Sequence, residues 1–410
     1  MKQLFRQFLA ACRRVWLGWL RLVALPWRWL ALLLGLSRPA DPASAPEAAT
    51  DTPPEMPPQA AQAAKRSVEP ALLAEDEDES GRSARAVVVE AAPTPKAEPL
   101  APAAEPVEPG AFTEGMFRND AGQRSYKLYI PAGKANGKLP LVVMLHGCKQ
   151  DPDDFAAGTR MNRLADSQHL AVLYPAQARS ANGFGCWNWF NRHDQQRGAG
   201  EPSIIAGMIQ EVITKHAVDP RRVYVAGLSA GGAMALILAR TYPELLAAAG
   251  VHSGLAHAVA QDMITAMGVM KRGPGRRATA APAKRRGKGA ETETEAEASV
   301  PLIVFHGDHD ETVHPLNGEQ VIEQALAATP AAQTKEGAGI VVEQGKVPGG
   351  RAYTRTLHSN GAARAHAEHW LVHGAGHAWS GGDSRGSFTD PLGPDASNEM
   401  LRFFLERTKV

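Results

Sequence analysis

The sequence of 410 residues has little of what would assign it to several large classes of protein. Its three cysteines are too few for a disulfide-rich scaffold and lack the spacing of zinc ligands. The formal net charge of +1 at pH 7 provides no general attraction to nucleic acid or to acidic substrates, so we expect no nucleic-acid partner. Any chemistry must therefore come from local sites.

Residues 1–36 lack an uninterrupted apolar run of the roughly 20 residues that a membrane-spanning helix needs, because arginines interrupt their Leu- and Trp-rich sequence. Arg14, Arg21 and Arg28 recur at a spacing that keeps them near one face of a helix. This pattern favours a basic amphipathic helix lying on a membrane or another hydrophobic surface. Two alternatives stay open: a cleaved secretory signal, and lipidation at Cys12.

Residues 37–110 contain few large apolar side chains and are rich in Pro, Ala, Glu, Asp and Ser. Such a segment cannot bury enough surface to offset its loss of conformational entropy, so we predict a disordered tether. Residues 111–410 are predicted to form one catalytic domain. Within it, residues 271–299 carry a basic half and an acidic half with almost no apolar side chains, and we predict a disordered insertion there.

The domain of residues 111–410 alternates short β-branched or apolar runs with helical patterns. This alternation predicts an α/β fold with a mostly parallel sheet and helices on both faces. The predicted strands are an edge strand at 126–130 and buried strands at 139–145, 171–174, 223–225, 247–251, 301–306 and 368–373.

Gly227-Leu228-Ser229-Ala230-Gly231 lies between a β-branched run and a run of helix formers, which predicts a strand, a tight turn and a helix. Gly227 and Gly231 would let the strand and the helix approach closely while Ser229 projects its hydroxyl. The start of the helix would add aligned N–H groups near a developing oxyanion. This context predicts Ser229 as the nucleophile of an α/β-hydrolase.

The first buried strand ends at His146-Gly147-Cys148, on the edge of the sheet where α/β proteins bind ligands. We predict an oxyanion hole formed by the N–H groups of Cys148 and Ala230. The alternative for His146-Gly147 is an ordinary turn.

Two carboxylates follow the strand at 301–306, and two histidines follow the strand at 368–373. We favour Asp310 over Asp308 as the acid, because a residue further round the turn can reach outward. A glycine-rich loop presents His377, which we favour over His373 as the general base. His369, His373 and His377 are spaced by four, but the strand-like sequence argues against a helical metal site.

A loop rich in aromatic residues carries Cys186, Trp187 and Trp189. Cys148 and Cys186 are either a disulfide that pins this loop beside the oxyanion turn or two unrelated buried thiols. Trp187 and Trp189 either line the substrate cleft or pack in the core. We also expect His146 and Trp379 to contact substrate.

Six ordered motifs in residues 111–410 resemble those of esterases of the poly(3-hydroxybutyrate) depolymerase family. They are His-Gly-Cys-Lys-Gln at 146–150, Cys-Trp-Asn-Trp-Phe at 186–190, Gly-Leu-Ser-Ala-Gly-Gly at 227–232, His-Gly-Asp-His-Asp-Glu-Thr-Val at 306–313, Gly-His-Ala-Trp-Ser-Gly-Gly at 376–382 and Thr-Asp-Pro-Leu-Gly-Pro-Asp-Ala at 389–396.

The resemblance implies an α/β-hydrolase fold without metal or cofactor, with Ser229, Asp310 and His377 as the triad. It implies hydrolysis of poly(3-hydroxybutyrate) or short hydroxyalkanoate oligomers through an acyl-enzyme. Feruloyl or acetylxylan esterase activity is the alternative, as is an inactive protein that binds a granule or membrane surface. The resemblance also implies an extracellular or cell-envelope location, with the surface of an intracellular polymer granule as the alternative.

Overall fold

The computed structural model describes residues 87–90, 110–133, 137–275, 300–328, 338–360 and 366–409. All of them belong to the compact unit Glu79–Val410. The predicted amphipathic segment 1–36, almost all of the predicted tether 37–110 and residues 276–299 of the predicted insertion lie outside the described residues.

The first half of the domain contains the strands and helices that lead to the candidate nucleophile. In chain order they are β1 (Val87–Glu90), β2 (Ala111–Asn119), β3 (Gly122–Ile130), β4 (Leu139–Leu145), α1 (Pro152–Thr159), α2 (Met161–Gln168), β5 (Ala171–Pro175), α3 (Gly200–Lys215) and β6 (Val218–Leu228).

The second half supplies the elements that carry the candidate acid and base. They are α4 (Ala230–Thr241), β7 (Ala248–His252), α5 (Met263–Arg272), β8 (Leu302–Gly307), α6 (Leu316–Ala327), β9 (Ala338–Lys346), β10 (Ala352–Asn360), β11 (Ala367–Val372), β12 (Trp379–Ser380), β13 (Thr389–Asp390) and α7 (Ala396–Leu405).

Eleven strands form one sheet in the order β1-β9-β10-β11-β8-β7-β6-β4-β5-β3-β2. The six strands from β11 to β5 run parallel, and the hairpins β9–β10 and β2–β3 extend the sheet with antiparallel pairs. The predicted α/β class with a mostly parallel sheet is confirmed. The parallel strands share one carboxyl edge, and the loops that carry Ser229, Asp310 and His377 leave the sheet there.

Alternate residues of the buried strands face two separate cores. In β4, Leu141, Val143 and Leu145 pack with apolar residues of α3, α4 and α6. Val142 and Met144 face the other way and pack with residues of α1, α2 and α7. Helices therefore cover both faces of the sheet, which explains why its central strands are apolar on both sides. None of the helices in the described ranges is long and apolar enough to cross a membrane.

Several boundaries differ from the sequence predictions. The predicted edge strand at 126–130 is wrong in its position, because β3 pairs with β5 on one side and with β2 on the other. Val87–Glu90, inside the predicted tether, is a strand that pairs in parallel with β9. Lys271 and Arg272, the first residues of the predicted insertion, form the last turn of α5.

Candidate active site

Ser229 occupies a strained turn between β6 and α4, with φ of 57° and ψ of −119°. A non-glycine residue rarely adopts a positive φ, so this turn is held by its surroundings. A Cβ atom at Gly227 would overlap the backbone of Gly231, and a Cβ at Gly231 would overlap the carbonyl oxygens of Leu145 and His146. Both glycines therefore permit the close approach of β6, α4 and the end of β4.

Asp310 and His377 are in direct contact, with Oδ2 of Asp310 2.7 Å from Nδ1 of His377. A carboxylate only accepts hydrogen bonds, so Nδ1 carries the proton and Nε2 of His377 is left as the acceptor. The other oxygen of Asp310 accepts the N–H groups of Thr312 and Val313 at 2.9 and 2.8 Å. The carboxylate is thus held in one orientation by backbone and imidazole together.

The two rival residues from the sequence pair with each other. Oδ2 of Asp308 lies 2.8 Å from Nδ1 of His373, and Nε2 of His373 lies 2.9 Å from Oγ1 of Thr354. Both nitrogens of His373 are therefore occupied. His373 has no free nitrogen to serve a nucleophile, whereas Nε2 of His377 has no hydrogen-bond partner within the described part of the chain.

Backbone hydrogen bonds join the loop that carries Asp310 to the loop that carries His377. The N–H of Asp308 donates to the carbonyl of Val372 at 3.1 Å, and the N–H of His309 donates to that of Ala375 at 3.0 Å. Gly307 has no side chain to keep the two loops apart, because a Cβ there would overlap the carbonyl oxygen of Ala375. This contact brings Asp310 and His377 together across 67 residues of sequence.

His252, at the end of β7, links the nucleophile turn to the base loop. Its carbonyl oxygen accepts the N–H of Ser229 at 2.9 Å, and its Nε2 accepts the N–H of Ser380 at 2.9 Å. No hydrogen bond joins Ser229 Oγ to His377 Nε2 among the described residues. Catalytic hydrogen bonds are often long before substrate binds, so this geometry is compatible with a hydroxyl–imidazole pair.

The turn after β4 leaves one backbone amide available. The N–H of Gly147 donates to Oε1 of Gln150, that of Lys149 to the carbonyl of Phe184, and that of Gln150 to the carbonyl of Gly147. The N–H of Cys148 has no such partner among the residues that the structure describes. Ala230 is the first residue of α4, where an N–H has no acceptor within the helix. These are the two donors predicted for the oxyanion hole.

Cys148 and Cys186 are joined by a disulfide, with their Cα atoms 4.2 Å apart. The bridge ties the predicted oxyanion turn to the aromatic loop, which is the first of the two alternatives considered from the sequence.

Three of the four residues predicted to contact substrate lie in the interior with polar partners inside the protein. The imidazole of His146 is buried, with Nε2 accepting the N–H of Gln177 at 3.1 Å. Trp187 donates from Nε1 to the carbonyl of His146 at 3.2 Å, and Trp379 donates to Oγ of Ser397 at 3.0 Å. Trp189 packs edge-on against Phe190 and is also buried. The contacts of these four side chains lie inside the protein, so the described structure gives no support for them as substrate contacts.

Buried imidazoles surround the Asp310–His377 pair. Nε2 of His306 lies 3.5 Å from Oδ2 of Asp310 and donates to the carbonyl of Val313 at 2.8 Å. Burial would raise the pKa of Asp310, but hydrogen bonds from His306, His377 and the Val313 N–H outweigh it and hold that pKa well below its usual range. These hydrogen bonds therefore favour the ionised carboxylate of Asp310.

Burial lowers the pKa of His252 to about 3, and the neighbouring His306 and His377 act in the same direction. The neutral ring stacks between Trp379 and Phe305, at centroid distances of 5.1 and 5.8 Å. Sequence reasoning noted His252 only as part of a loop and passed over His306 as a strand residue. Their position beside the predicted acid and nucleophile is the signal that could have identified them.

Within the described ranges, no group of three His, Cys, Asp or Glu side chains is arranged to hold a metal ion. His369 lies in β11, and His373 and His377 follow it without forming a helix. The regular spacing of these three histidines therefore does not place them on one helical face.

Comparisons with known proteins place the chain in a family and identify relatives. Residues 124–346 match the family model described as "Esterase PHB depolymerase". Over 208 residues the chain is 33% identical to poly(3-hydroxyalkanoate) depolymerase C of Paucimonas lemoignei, a match that covers 51% of this chain and 49% of that protein. Over 131 residues it is 37% identical to feruloyl esterase B of Neurospora crassa, covering 32% of this chain and 44% of that protein.

Among solved structures, an acetyl xylan esterase from Aspergillus awamori matches with 21% identity and a TM-score of 0.47, covering 62% of this chain and 89% of that one. The chain spans about half the length, or less, of three of the curated relatives it matches. The matched family region includes the candidate nucleophile and acid and extends over more than half of the sequence. The chain therefore belongs to the Esterase PHB depolymerase family.

Proposed function

We propose that this protein hydrolyses carboxylic esters through an acyl-enzyme formed on Ser229. The observation that carries the proposal is the 2.7 Å contact between Asp310 and His377, on the same sheet edge as the strained turn of Ser229. Of the two Asp–His pairs at this edge, only this one leaves the imidazole Nε2 without a partner among the described residues.

In the proposed reaction, Ser229 Oγ attacks the ester carbonyl as its proton passes to Nε2 of His377. Asp310 holds the other nitrogen protonated and stabilises the imidazolium. The N–H groups of Cys148 and Ala230 donate to the oxyanion of the tetrahedral intermediate. The bond to the leaving alcohol then breaks, and the alcohol takes the proton from His377. Water attacks the acyl-enzyme by the same route, which releases the acid and regenerates Ser229.

For the substrate, we propose poly(3-hydroxybutyrate) or short hydroxyalkanoate oligomers. The family match and the name of the Paucimonas lemoignei relative support this class. Feruloyl or acetylxylan esters are the second candidate, because similar proteins carry the names feruloyl esterase B and acetylxylan esterase A. Release of 3-hydroxybutyrate from amorphous polymer, compared with release of ferulate or acetate from the corresponding esters, distinguishes these candidates.

The activity is tested with 4-nitrophenyl butyrate and with a fluorophosphonate probe that labels activated serines. The wild type should hydrolyse the ester and be labelled, and Ser229→Ala should do neither while it keeps its circular dichroism spectrum. Ser253→Ala is the matched control, since it also removes a buried hydroxyl beside His252. Labelling that persists in Ser229→Ala would refute the assignment.

A wild type that is neither labelled nor active would favour the surface-binding alternative. Comparing butyrate esters with the corresponding amides distinguishes an esterase from a peptidase, because a peptidase should cleave the amides as well.

We further propose that the protein acts outside the cell or in the cell envelope, and that residues 1–36 dock it on a membrane or a polymer granule. The basic amphipathic pattern of Arg14, Arg21 and Arg28 supports docking. In the full chain, replacing these three arginines with glutamate should reduce binding to anionic vesicles or to polymer granules without changing hydrolysis of the soluble ester. Unchanged binding to both surfaces would argue against docking through this segment.

A further inference from the structure

The side chain of Gln150 is buried where three segments meet. Its Oε1 accepts the N–H of Gly147 at 2.9 Å, and its Nε2 donates to Oδ2 of Asp154 at 3.0 Å and to the carbonyl of Ser387 at 3.0 Å. The orientation of the amide follows from these partners, since only the oxygen can face an N–H and only the nitrogen can face two acceptors.

The backbone N–H of Gln150 and the imidazole of His146 hold the peptide group that carries the candidate oxyanion donor, and the Gln150 side chain holds the peptide group before it. The carbonyl of Gly147 accepts the backbone N–H of Gln150 at 3.3 Å and Nδ1–H of His146 at 2.8 Å. This carbonyl and the N–H of Cys148 belong to one planar trans peptide, so they point in opposite directions. Holding the carbonyl inward therefore turns the N–H of Cys148 outward, and the Gln150 side chain fixes the other end of Gly147.

The far end of the Gln150 amide is anchored to the segment that follows the base loop. Oδ1 of Asp154 accepts the N–H of Ser387 at 2.8 Å, and Oδ2 accepts the Ser387 hydroxyl at 2.5 Å. Asp154 lies in the first turn of α1, and its side chain therefore joins α1 to the loop between β12 and β13. Gln150 thus connects the oxyanion turn with the chain just beyond His377.

We propose that Gln150, held by Asp154 and Ser387, is a positioning residue that sets the direction of the Cys148 N–H toward the developing oxyanion. The proposal rests on the ester hydrolysis proposed above. It places the effect in the transition state, because the substrate carbonyl gains its negative charge only there. Loss of Gln150 should therefore lower kcat and leave KM nearly unchanged.

The first test is Gln150→Ala, with kinetics on 4-nitrophenyl butyrate and inhibition by an alkyl trifluoromethyl ketone. That ketone forms a tetrahedral adduct whose oxyanion occupies the same hole. Removing one oxyanion donor outright costs about a hundredfold or more in kcat, so misdirecting one should cost about ten- to a hundredfold, with KM within about twofold. The inhibition constant should rise by a similar factor. A kcat within twofold of the wild type, or a fall in kcat without a rise in the inhibition constant, would overturn the proposal.

The second test exchanges donor and acceptor between two side chains and does not depend on Gln150→Ala folding well. Gln150→Glu keeps the acceptor for Gly147 but places its carboxylate against that of Asp154. Asp154→Asn places its amide group against that of Gln150. In the double variant, the amide introduced at position 154 can donate to the carboxylate introduced at position 150 and restore the contact between these two side chains in reverse. The carbonyl of Ser387 then faces that carboxylate, so the recovery is partial. We expect both single variants to lose activity and the double variant to recover at least about tenfold relative to the weaker one. A double variant no better than either single one would contradict the proposal.

Failure of this inference is distinguishable from failure of the proposed function. If the wild type neither hydrolyses the ester nor reacts with the fluorophosphonate probe, the function itself is wrong. If the wild type is active and the variants of Gln150 keep both kcat and the inhibition constant, only the positioning role is wrong.

Discussion

Asp308 and His373 form a carboxylate–imidazole pair 2.8 Å apart, on the same two loops that bring Asp310 within 2.7 Å of His377. The two pairs are matched in chemistry and differ in what the second imidazole nitrogen contacts. In the Asp308–His373 pair, here called the outer pair, Nε2 of the histidine contacts Thr354. In the Asp310–His377 pair, the inner pair, Nε2 has no partner among the described residues. The outer pair therefore serves as an internal control for the inner one.

Asp310→Asn should lower kcat for 4-nitrophenyl butyrate by about 10³- to 10⁴-fold, because the amide no longer holds the proton on Nδ1 of His377. Asp308→Asn should change kcat by less than about threefold, since a partly exposed pair contributes little. Steady-state kinetics of both variants make the comparison, and His377→Gln and His373→Gln repeat it from the imidazole side. A larger loss in Asp308→Asn than in Asp310→Asn would reverse the assignment of the acid.

Cys186→Ser should destabilise the protein by about 2 to 4 kcal/mol. The disulfide joins residues 38 positions apart, and without it the unfolded chain gains conformational entropy. It should also lower kcat, since the oxyanion turn loses its link to the aromatic loop. Urea unfolding and ester kinetics measure both effects.

Cys12→Ser is the control for Cys186→Ser, because it changes the third cysteine and leaves the bridge intact. Alkylation of the unreduced wild type should label at most one thiol, that of Cys12. Labelling of three thiols in unreduced protein would show that the bridge does not form.

Acidification should destabilise the protein partly through His252. Its pKa in the folded protein is about 3, below the value of about 6.5 for an unperturbed histidine, so between these values the unfolded chain binds a proton that the folded one does not. Stability contributed by the neutral ring is present above about pH 6.5 and declines as the pH falls toward 3, by at most about 1.4 kcal/mol per pH unit.

Urea unfolding between pH 7.5 and pH 4 measures this decline. His252→Gln should flatten the pH dependence, while exposed His216→Gln should leave it unchanged. An equally steep decline in His252→Gln would assign the acid sensitivity to other groups, among them His369, whose pKa burial lowers to about 4.

Gly231→Ala should destabilise the fold by about 1 to 3 kcal/mol or more, because the new methyl group overlaps the carbonyl oxygens of Leu145 and His146 at the end of β4. Thermal unfolding and the yield of soluble protein measure the effect. Gly183→Ala is the matched control, since its added Cβ would meet no atom within 4 Å. Equal stability of the two variants would mean that the close approach of α4 to β4 is not required.

The central strands and the strand–turn–helix around Ser229 were predictable because local pattern and chemistry coincide there. The sequence around Ser229 carries its strand, turn and helix signals within one stretch, and the buried strands are apolar on both faces. The hairpin β9–β10 was missed because its apolar run is only three residues long, Ile340 to Val342, and polar residues and glycines make up much of the rest of both strands. β2 was missed for a similar reason, since polar residues and a glycine interrupt it.

The tryptophans show a different limit of sequence reasoning. Trp187 and Trp379 lie in motifs that the sequence associates with the candidate site, yet both are buried with their indole N–H groups hydrogen-bonded inside the protein. Sequence position cannot distinguish an aromatic ring that faces a cleft from one that supports the loop behind it. The choice of Asp310 over Asp308 stays a prediction, because both carboxylates reach a histidine of the base loop and distance along the turn after β8 does not separate them.

The left-handed backbone at Ser229 also limits which nucleophiles this scaffold can accept in protein engineering. A cysteine has the same unbranched Cβ as serine and tolerates φ of 57° equally well, so a thiol-based variant is accessible. A threonine would place a branched Cβ in a conformation that β-branched residues avoid. Directed evolution at position 229 should therefore yield cysteine variants and no threonine ones.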